Sequence, residues 1–509
     1  MEKKIILTAI LALALVFGMA VVGCGGGGGG DDNNNFIGSW TGSAVNLAGT
    51  LETATITFTE NNTWTITYSI GAQGRPAAGT YTWSGNTAVL TTDTGDKQTI
   101  TITGNTIRMG EVTLTKSSGS GTPGGGGNTV EGAKLVDKLA WLRTNAQSNT
   151  TYTITVSANE SIRSEECVLE YPGKNGITII LSGSGGARTI SLSNTGSLFH
   201  IMNNGVKLVL DNNITLQGKS GNTTSLVLVS RGELEMKAGS KITGNGGSGV
   251  AVSGTFTMNG GTISGNTTTQ IGGGVSVSSN GTFTMNGGEI SGNTASFGGG
   301  VYVGSALSSS DTSGGNFIMN SGKISGNTAT TSGGGVSLSG ASSSAIKGGT
   351  FTMNGGEISG NTADSNGGGV QISGEGKNGI FTMKGGTISG NTAKGSTFGG
   401  GGVYVASGIF NMDKGIISGN KATNKDGGGV YVSWNGTFRI ANGTVYGSTA
   451  ATGQANTAAS GAALYKYDSG GSTQAVAERG TFSGTLWTSK GTLSATSNTI
   501  SVENGDLKQ

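Results

Sequence analysis

The chain has 509 residues, of which 99 are glycine and only 3 are proline, and charged residues make up 11%. Neither a Gly-X-Y period nor abundant proline is present, which excludes a collagen-like chain. The formal net charge is +2 and no stripe of Lys and Arg stands out, so we expect no nucleic acid among the partners. The glycines punctuate short apolar runs, which is typical of a protein rich in strands and turns.

Residues 1–23 have the features of a signal peptide. Two lysines precede an apolar run at 5–22, which is the order of regions in a secretory signal. The run ends in Val21-Val22-Gly23-Cys24, and this tetrapeptide resembles the lipobox of bacterial lipoproteins. The resemblance implies cleavage before Cys24 and lipidation of its thiol. The polar, glycine-rich residues 24–35 would then be the tether of a lipid-anchored protein.

The anchor predicts a location in the bacterial cell envelope, with the membrane as a partner through Cys24. Gly25, not Asp, follows this cysteine, so inner-membrane retention is not signalled. We expect an outer-membrane lipoprotein that faces either the periplasm or the outside. The alternative is an ordinary signal peptide that happens to contain a cysteine. Cys167 is the only other cysteine, so we expect no disulfide within the chain, and its apolar surroundings predict a buried thiol.

Residues 36–116 predict a small all-β domain. Runs such as "TATITFTE" and "TWTITYSI" alternate apolar and polar residues between Asn- and Gly-containing turns, which is typical of about eight antiparallel strands in a small barrel or sandwich. The stretches "IGSWTGS" and "GTYTWSGNTAVLT" resemble the small lipocalin-like domains of bacterial lipoproteins. The resemblance implies the fold and no ligand. A Ser- and Gly-rich linker follows at 117–128.

A single amphipathic helix is predicted within residues 129–148. Leu135, Leu139 and Leu142 are spaced as one face of a helix. A lone helix ahead of a long strand region would cover the exposed first rung of a stacked sheet. We therefore expect it to cap the domain that follows, residues 149–509.

A repeated segment fills much of that domain. "FTMNGGTISGNT" begins at Phe256, and close copies follow at intervals of 27–34 residues, at Phe283, Phe317, Phe351, Phe381 and Phe410. Side chains alternate between the two faces of a strand. One face therefore carries the Phe, the Met, a later Ile and the two valines that follow a Gly-Gly-Gly run. The residues between them point to the other face. Three short strands joined by glycine-rich corners thus make one coil of a solenoid, of which about twelve are expected.

The spacing within the copies predicts where the coils vary. From Phe to the first Val it is 18 or 19 residues in the first three copies, whereas Val to the next Phe varies from 7 to 16. Insertions therefore leave from a single corner, which a solenoid tolerates. At another corner an asparagine recurs in every copy, and stacking at about 4.8 Å predicts a hydrogen-bonded ladder. The ladder comprises Asn266, Asn293, Asn327, Asn361, Asn391 and Asn420.

Phe-Thr-Met-Asn is an F-x-x-N pattern and "GGGV" approximates G-G-A-I, so residues 230–445 resemble the repeats of polymorphic outer membrane proteins. The resemblance implies a right-handed parallel β-helix, of the class that includes pectate lyases, and a role in adhesion. Members of that family carry a C-terminal membrane barrel. The last residues here show no such pattern, so we expect the lipid to serve as the anchor instead.

Parallel β-helices also include polysaccharide lyases and glycoside hydrolases, whose chemistry requires clustered carboxylates. The acidic residues of the repeats stand singly, and His200, the only histidine, lies between apolar residues, which favours a structural role. No spacing typical of metal ligands is present. We therefore predict no catalytic site, no metal and no cofactor.

The outward position of the Val-X-Val strand holds the candidate binding residues. Tyr302, Tyr404 and Tyr431 occupy it, with Trp434 close by, and such rings can form a platform for a sugar or a protein. The alternative is that stacked tyrosines only stabilise the sheet. The predicted function is the non-enzymatic presentation of a surface, by a monomer, for adhesion to a glycan or to a host or matrix protein. A lyase or hydrolase and a passive surface coat are the alternatives.

Overall fold

The chain forms two compact units, Met1–Asn128 and Thr129–Gln509. In the computed structural model, the described part of the first unit consists of its eight strands. The second unit is described from residue 130 onwards, except for residues 279, 305–313, 341–347, 375–378, 468–474, 485, 495, 498–499, 504–505 and 508–509. The signal peptide, Cys24, the tether and most of the linker lie outside the described residues, so the lipid anchor stays a prediction.

The first unit is an antiparallel sheet that closes on itself. Each strand pairs with the next along the chain, and the first pairs with the eighth, with Thr41 opposite Thr115. Apolar and β-branched residues alternate along these strands and favour them, and the described side chains of Leu90 and Ile100 are buried. The predicted antiparallel barrel-like domain is therefore confirmed. Its strands are Gly38–Val45, Leu51–Phe58, Thr63–Ser69, Ala77–Ser84, Thr87–Thr92, Lys97–Thr103, Thr106–Met109 and Val112–Ser117.

Helix α1, Leu135–Asn145, covers the start of the second unit. Its leucine face is buried in the same apolar core as the first strands that follow. The backbone N–H of Leu135 donates to the carboxylate of Glu160 at 3.0 Å. This N–H lies in the first turn and has no hydrogen-bond partner within the helix. The carboxylate also places a negative charge at the positive end of the helix dipole. The predicted helical cap is confirmed.

The rest of the second unit is a parallel β-helix with three long sheets and one short sheet, which we name after a recurring residue. The phenylalanine and isoleucine sheets have thirteen strands each, the valine sheet has twelve and the short sheet has five. Neighbouring strands of a sheet lie one coil apart and run parallel in every repeat. The phenylalanine sheet stays parallel through twelve strands, from Thr151 to Ser483, in agreement with the expected number of coils.

The strands of each sheet follow in chain order. The phenylalanine sheet comprises Thr151–Val156, Ile177–Gly183, Val206–Leu210, Glu233–Met236, Thr255–Met258, Thr282–Met285, Asn316–Met319, Thr350–Met353, Ile380–Met383, Ile409–Met412, Thr437–Ile440, Val476–Ser483 and Leu486–Thr492. The isoleucine sheet comprises Glu160–Ile162, Arg188–Leu192, Ile214–Gln217, Lys241–Thr243, Thr262–Ser264, Glu289–Ser291, Lys323–Ser325, Glu357–Ser359, Thr387–Ser389, Ile416–Ser418, Gly443–Val445, Ile500–Glu503 and Asp506–Leu507. The valine sheet comprises Val168–Leu169, Phe199–Ile201, Val227–Val229, Val250–Val252, Val275–Val277, Val301–Val303, Val336–Ser339, Val370–Ser373, Val403–Val405, Val430–Val432, Leu464–Lys466 and Thr496–Ser497. The short sheet comprises Thr294–Phe297, Thr328–Ser332, Thr362–Ala363, Thr392–Ala393 and Lys421–Ala422, and a 3₁₀ turn spans Ser164–Cys167.

The core is built from identical side chains stacked in register. The rings of Phe256 and Phe283 lie 4.7 Å apart and within 8° of parallel, and the next four steps of the stack have spacings of 4.6–4.8 Å. All six rings are at most 1% exposed. Because one coil leaves its apolar edge open, each further coil buries the face of the coil before it.

The short sheet corrects the prediction of three strands per coil. In five coils the chain forms a further short strand directly after the ladder asparagine, such as Thr362–Ala363, and its alanine is buried. Three of these strands have only two residues, which is too short a run to show a period of two in the sequence. The coil is therefore four-sided over this stretch.

The connections between strands vary mainly at the predicted corner. From the phenylalanine to the isoleucine sheet the connection has two to four residues, most often three, as at 259–261. From the valine to the phenylalanine sheet it ranges from two residues at 253–254 to twelve at 304–315. A second, smaller variation was not predicted. Asn391 and Val403 are 12 positions apart, against 9 for the equivalent residues of the preceding coil.

The solenoid ends in strands of opposite direction. Leu486–Thr492 pairs antiparallel with Val476–Ser483, and Ile500–Glu503 pairs antiparallel with Gly443–Val445. The valine sheet also ends in an antiparallel pair. These strands cover the edges that a further coil would otherwise pair with, so they cap the end of the solenoid.

Candidate functional site: the outer face of the valine sheet

The predicted asparagine ladder is present and buried. The side-chain Nδ2 of Asn327 donates to Oδ1 of Asn361 at 3.0 Å, and the backbone N–H of Asn327 donates to the same oxygen at 2.9 Å. Nδ2 of Asn327 also donates to the carbonyl oxygen of Ile290 at 2.9 Å. All six predicted asparagines are 0% exposed, and at such burial a polar group must be hydrogen-bonded. The ladder is therefore part of the core and leaves no polar group for a ligand.

The ladder is longer than the sequence predicted. Asn222 donates to Asn245 at 2.8 Å, the backbone N–H of Asn245 donates to Asn266 at 3.1 Å, and Asn420 donates to Asn456 at 2.9 Å. The added asparagines lie in coils that match the repeat poorly. Each is followed by Thr or Gly, and five of the six predicted ones are followed by Thr, so a weak sequence signal for the added positions was present.

The three predicted platform tyrosines project from the outer face of the valine sheet but are covered. Tyr302, Tyr404 and Tyr431 are 7%, 5% and 2% exposed. The loop ahead of each valine strand folds back over this face. In the coil of Tyr404 it carries Gly400 at φ +78°, where a Cβ would lie 2.8 Å from the Cβ of Tyr404. The three tyrosines therefore do not form an open platform, because alternation fixes the direction of a side chain and not what covers it. Their burial agrees with the alternative, in which stacked tyrosines stabilise the sheet.

Burial also sets the ionisation of these tyrosines. It raises the pKa of Tyr302 and of Tyr404. The pKa of Tyr431 is raised by burial first, and then by the neighbouring tyrosines and the carboxylate of Asp426. The hydroxyls therefore stay protonated at neutral pH and can serve as hydrogen-bond donors.

Towards the C-terminal end of the valine sheet, two of these tyrosines and a third one form an aromatic floor, which consists of Tyr404, Tyr431 and Tyr465. The ring centroids of the first two are 5.5 Å apart, and those of the last two are 5.1 Å apart. The three residues occupy equivalent positions in consecutive coils. The floor is therefore continuous along the solenoid axis.

An aromatic row, which consists of Phe398, Trp434 and Tyr467, lies against this floor. The centroids of Phe398 and Trp434 are 6.4 Å apart with the rings nearly perpendicular, and those of Trp434 and Tyr467 are 5.6 Å apart. Phe398 also lies 5.9 Å from Tyr404. Trp434 is 47% exposed, whereas Tyr404 and Tyr431 of the floor are at most 5% exposed, so Trp434 is the ring of this cluster that faces solvent most openly.

Sequence reasoning placed Trp434 at this site and missed its neighbours. Phe398 lies in the segment between Asn391 and Val403, which is longer than in the preceding coil. This difference in spacing can be read from the sequence. Tyr465 and Tyr467 lie in the stretch "LYKY", which follows the alternation of a Val-X-Val strand without its valines. The atypical composition of this last part of the chain concealed its place in the sheet.

Other groups considered in the sequence are isolated from this row. His200 Nε2 and Ser230 Oγ are 2.8 Å apart, and burial lowers the pKa of His200. Cys167 is a buried free thiol, as predicted, and burial raises its pKa to about 12. Across the described ranges, no three His, Cys, Asp or Glu side chains are grouped to hold a metal ion.

The aromatic row is a local feature of one solenoid face, close to the corner where connections vary.

None of the helices in the described ranges has both the length and the apolar character needed to cross a membrane. Comparison with models of protein families, with curated proteins and with solved structures finds no match for this chain.

Proposed function

We propose that this chain is a lipid-anchored protein of the bacterial cell envelope that presents the outer surface of its solenoid for adhesion or interaction, without catalysing a reaction. The observation that carries the proposal is the contrast between a constant core and a variable rim. The core repeats the same side chains in register. At the rim, the connection from the valine to the phenylalanine sheet changes sixfold in length, from two residues to twelve.

This contrast is typical of a presentation scaffold. A stacked core gives a stiff body whose length grows with each coil, and its loops can change without disturbing the core. The variable connections are rich in Ser and Gly and poor in charge, as in residues 304–315. Such loops suit contact with a partner better than the fixed positioning that catalysis requires.

The absence of a carboxylate cluster in the described residues supports a non-enzymatic role. No three acidic side chains of these residues are grouped; Glu233 and Glu235 both pair with Lys207, whereas other acidic residues pair singly, as Asp364 does with Lys394 at 3.3 Å and Glu357 with Lys323 at 3.5 Å. These single pairs are largely exposed, and each contributes about 0–1 kcal/mol to stability. The fold alone does not imply the chemistry of other parallel β-helices.

The location is proposed from the N-terminal sequence. Cys24 follows a lipobox-like stretch, and the tether at 24–35 would leave the folded units free to project from a membrane surface. One acyl chain binds membranes weakly, so stable anchoring requires more than one chain on the modified cysteine.

The full chain with its leader, produced in a Gram-negative host, tests the proposal. The wild type is expected in the membrane fraction and the Cys24→Ser variant in the soluble fraction; an unchanged distribution would refute the anchor. Cells that carry the wild type are expected to adhere to surfaces coated with glycans or matrix proteins. No adhesion to any surface would favour a passive coat, and the release of sugar fragments from a polysaccharide would favour a lyase or hydrolase.

A further inference from the structure

We propose that the aromatic row is a binding site for a neutral oligosaccharide. The inference rests on the proposed adhesive function and assigns a ligand class to it. Three observations carry it: the exposed ring of Trp434, the support of the row by buried tyrosines, and the carboxylate of Asp426 beside them.

The row has the geometry that a chain of sugar rings requires. Phe398 precedes one valine strand, Trp434 follows the next, and Tyr467 follows the one after that, so the three rings come from three consecutive coils. Successive ring centroids are 6.4 and 5.6 Å apart. A pyranose ring presents a face of C–H groups that stacks on an aromatic ring, and a linear oligosaccharide repeats this face along its length. The rings of Phe398 and Trp434 are nearly perpendicular, so the exposed Trp434 provides the stacking face, and Phe398 and Tyr467 can contact the neighbouring sugar units from the adjacent coils.

The row is held in place before any ligand arrives. Phe398 packs on the floor at 5.9 Å from Tyr404 and 6.0 Å from Tyr431. Both tyrosines are at most 5% exposed, so their rings cannot turn freely. Binding to rings that are already fixed costs less conformational entropy than binding to mobile ones.

Asp426 supplies the polar part of the site. The backbone carbonyl oxygen of Asp426 accepts a hydrogen bond from the N–H of Gly400 at 3.2 Å, which places Asp426 beside the loop that carries Phe398. Its carboxylate also adds to the rise in the pKa of Tyr431 and Tyr465 that burial causes. A carboxylate accepts hydrogen bonds from sugar hydroxyls. An acidic saccharide would meet the like charge of this carboxylate, so a neutral one is favoured.

A protein partner fits this face less well. The exposed large apolar residues of the described ranges are Trp434, Ile416, Leu486 and Leu507, and the last three lie on the isoleucine and phenylalanine sheets. A stable protein interface buries about 800 Å² on each partner around an apolar centre. One exposed tryptophan does not supply such a centre, but it is sufficient to stack on a sugar ring.

The test uses the full chain, purified in detergent, and the quenching of tryptophan fluorescence by hexasaccharides. The probes are the β-1,4-linked hexamers of glucose, N-acetylglucosamine, mannose and xylose, with a hexamer of galacturonic acid as the acidic counterpart. At least one neutral hexamer is expected to bind saturably. Trp434→Ala should weaken this binding by about tenfold or more, whereas Trp434→Phe, which keeps a ring, should recover part of it. Binding by variants without Trp434 is followed by calorimetry.

Ile416→Ala is the matched control, because it removes an equally exposed apolar side chain from another sheet. It should leave affinity unchanged. Asp426→Asn should weaken neutral binding several-fold without creating affinity for the acidic hexamer. The inference is overturned if no neutral hexamer binds, if Trp434→Ala and Ile416→Ala bind alike, or if the acidic hexamer binds more tightly than every neutral one.

Failure of this inference is distinguishable from failure of the proposed function. Cells that adhere equally well with the wild type and with Trp434→Ala would overturn the sugar site and leave the adhesive role standing. Loss of adhesion with Cys24→Ser, together with full hexamer binding by the purified variant, would support both. Hexamer binding by a protein that mediates no adhesion would contradict the proposed function alone.

Discussion

Oδ1 of Asn361 accepts two hydrogen bonds from Asn327 of the preceding coil, one from the side-chain Nδ2 at 3.0 Å and one from the backbone N–H at 2.9 Å. One buried oxygen thus fixes both the side chain and the main chain of the coil before it. The same arrangement joins Asn391 to Asn420. The ladder therefore sets the register between coils as well as satisfying their polar groups.

Replacement of one ladder residue should strongly destabilise the solenoid. Asn327→Ala removes the acceptor that pairs the backbone N–H of Asn293 at 3.0 Å, and it also removes the bonds that Asn327 donates. The expected loss in the free energy of unfolding is about 3 kcal/mol, measured by urea denaturation followed by circular dichroism. Asn320→Ala is the control, because Asn320 bonds to Asn286 at 2.7 Å in an exposed ladder and should change stability by about 0.5 kcal/mol or less. Equal effects of the two changes would contradict the structural role of burial.

The phenylalanine stack should be sensitive to truncation in the middle. Phe317→Ala leaves a cavity between Phe283 and Phe351, whose rings lie 4.8 and 4.6 Å from that of Phe317. We expect a loss of about 3–5 kcal/mol in the free energy of unfolding. Ile318→Ala, a change at the outward position of the same strand, should cost clearly less. If both variants lose the same stability, the ring does not lie in the core.

Two glycines of one coil should respond differently to the same substitution. Gly390 has φ +62° and a Cβ there would meet no atom closer than 3.9 Å, whereas a Cβ on Gly400 would lie 2.6 Å from the carbonyl oxygen of Val403. Gly390→Ala should cost only the strain of the left-handed backbone, about 1–2 kcal/mol. Gly400→Ala adds steric overlap to that strain and should lower the melting temperature further. The reverse order would show that the loop does not lie against the valine sheet.

The thiol of Cys167 should be unreactive in the folded chain. Burial raises its pKa to about 12, against about 9 for an exposed thiol, and reactivity requires the thiolate. In the Cys24→Ser variant at pH 8, a disulfide reagent such as dithionitrobenzoate should label no thiol before unfolding and one thiol per chain in urea. Rapid labelling of the folded protein would be inconsistent with a buried thiol.

The same shift has a consequence for stability at high pH. The folded state holds the proton of Cys167 more tightly than the unfolded state does. The stabilising contribution is therefore complete below about pH 9 and is lost as the pH rises towards 12. Cys167→Ala should remove this part of the decline in the free energy of unfolding between these values. An identical decline in the variant and the parent would assign it to other groups.

The sequence alone determined the architecture, because a solenoid repeats a local rule. Side chains alternate along a strand with a period of two. The inward face of each strand can therefore be identified from a Phe, a Met two residues later and a Val pair further on. The asparagine ladder and the helical cap followed for similar reasons: an equivalent residue in each coil must stack on its copy, and an open first rung must be covered. These inferences need contacts only between neighbouring coils.

The tertiary structure decided what is accessible. Tyr404 is covered from outside its own strand: the ring of Phe398 packs 5.9 Å from its ring, and the turn at Gly400 lies close to its Cβ. No period in the sequence encodes that path of the loop. Trp434 is exposed and Tyr431 is not, although they are three residues apart. The formation of the short sheet and the position of Phe398 are also set by the paths of loops, which no sequence period encodes. Strand direction is a local property of the backbone, whereas exposure is set by atoms that the rest of the coil brings into contact, and only the folded chain determines those.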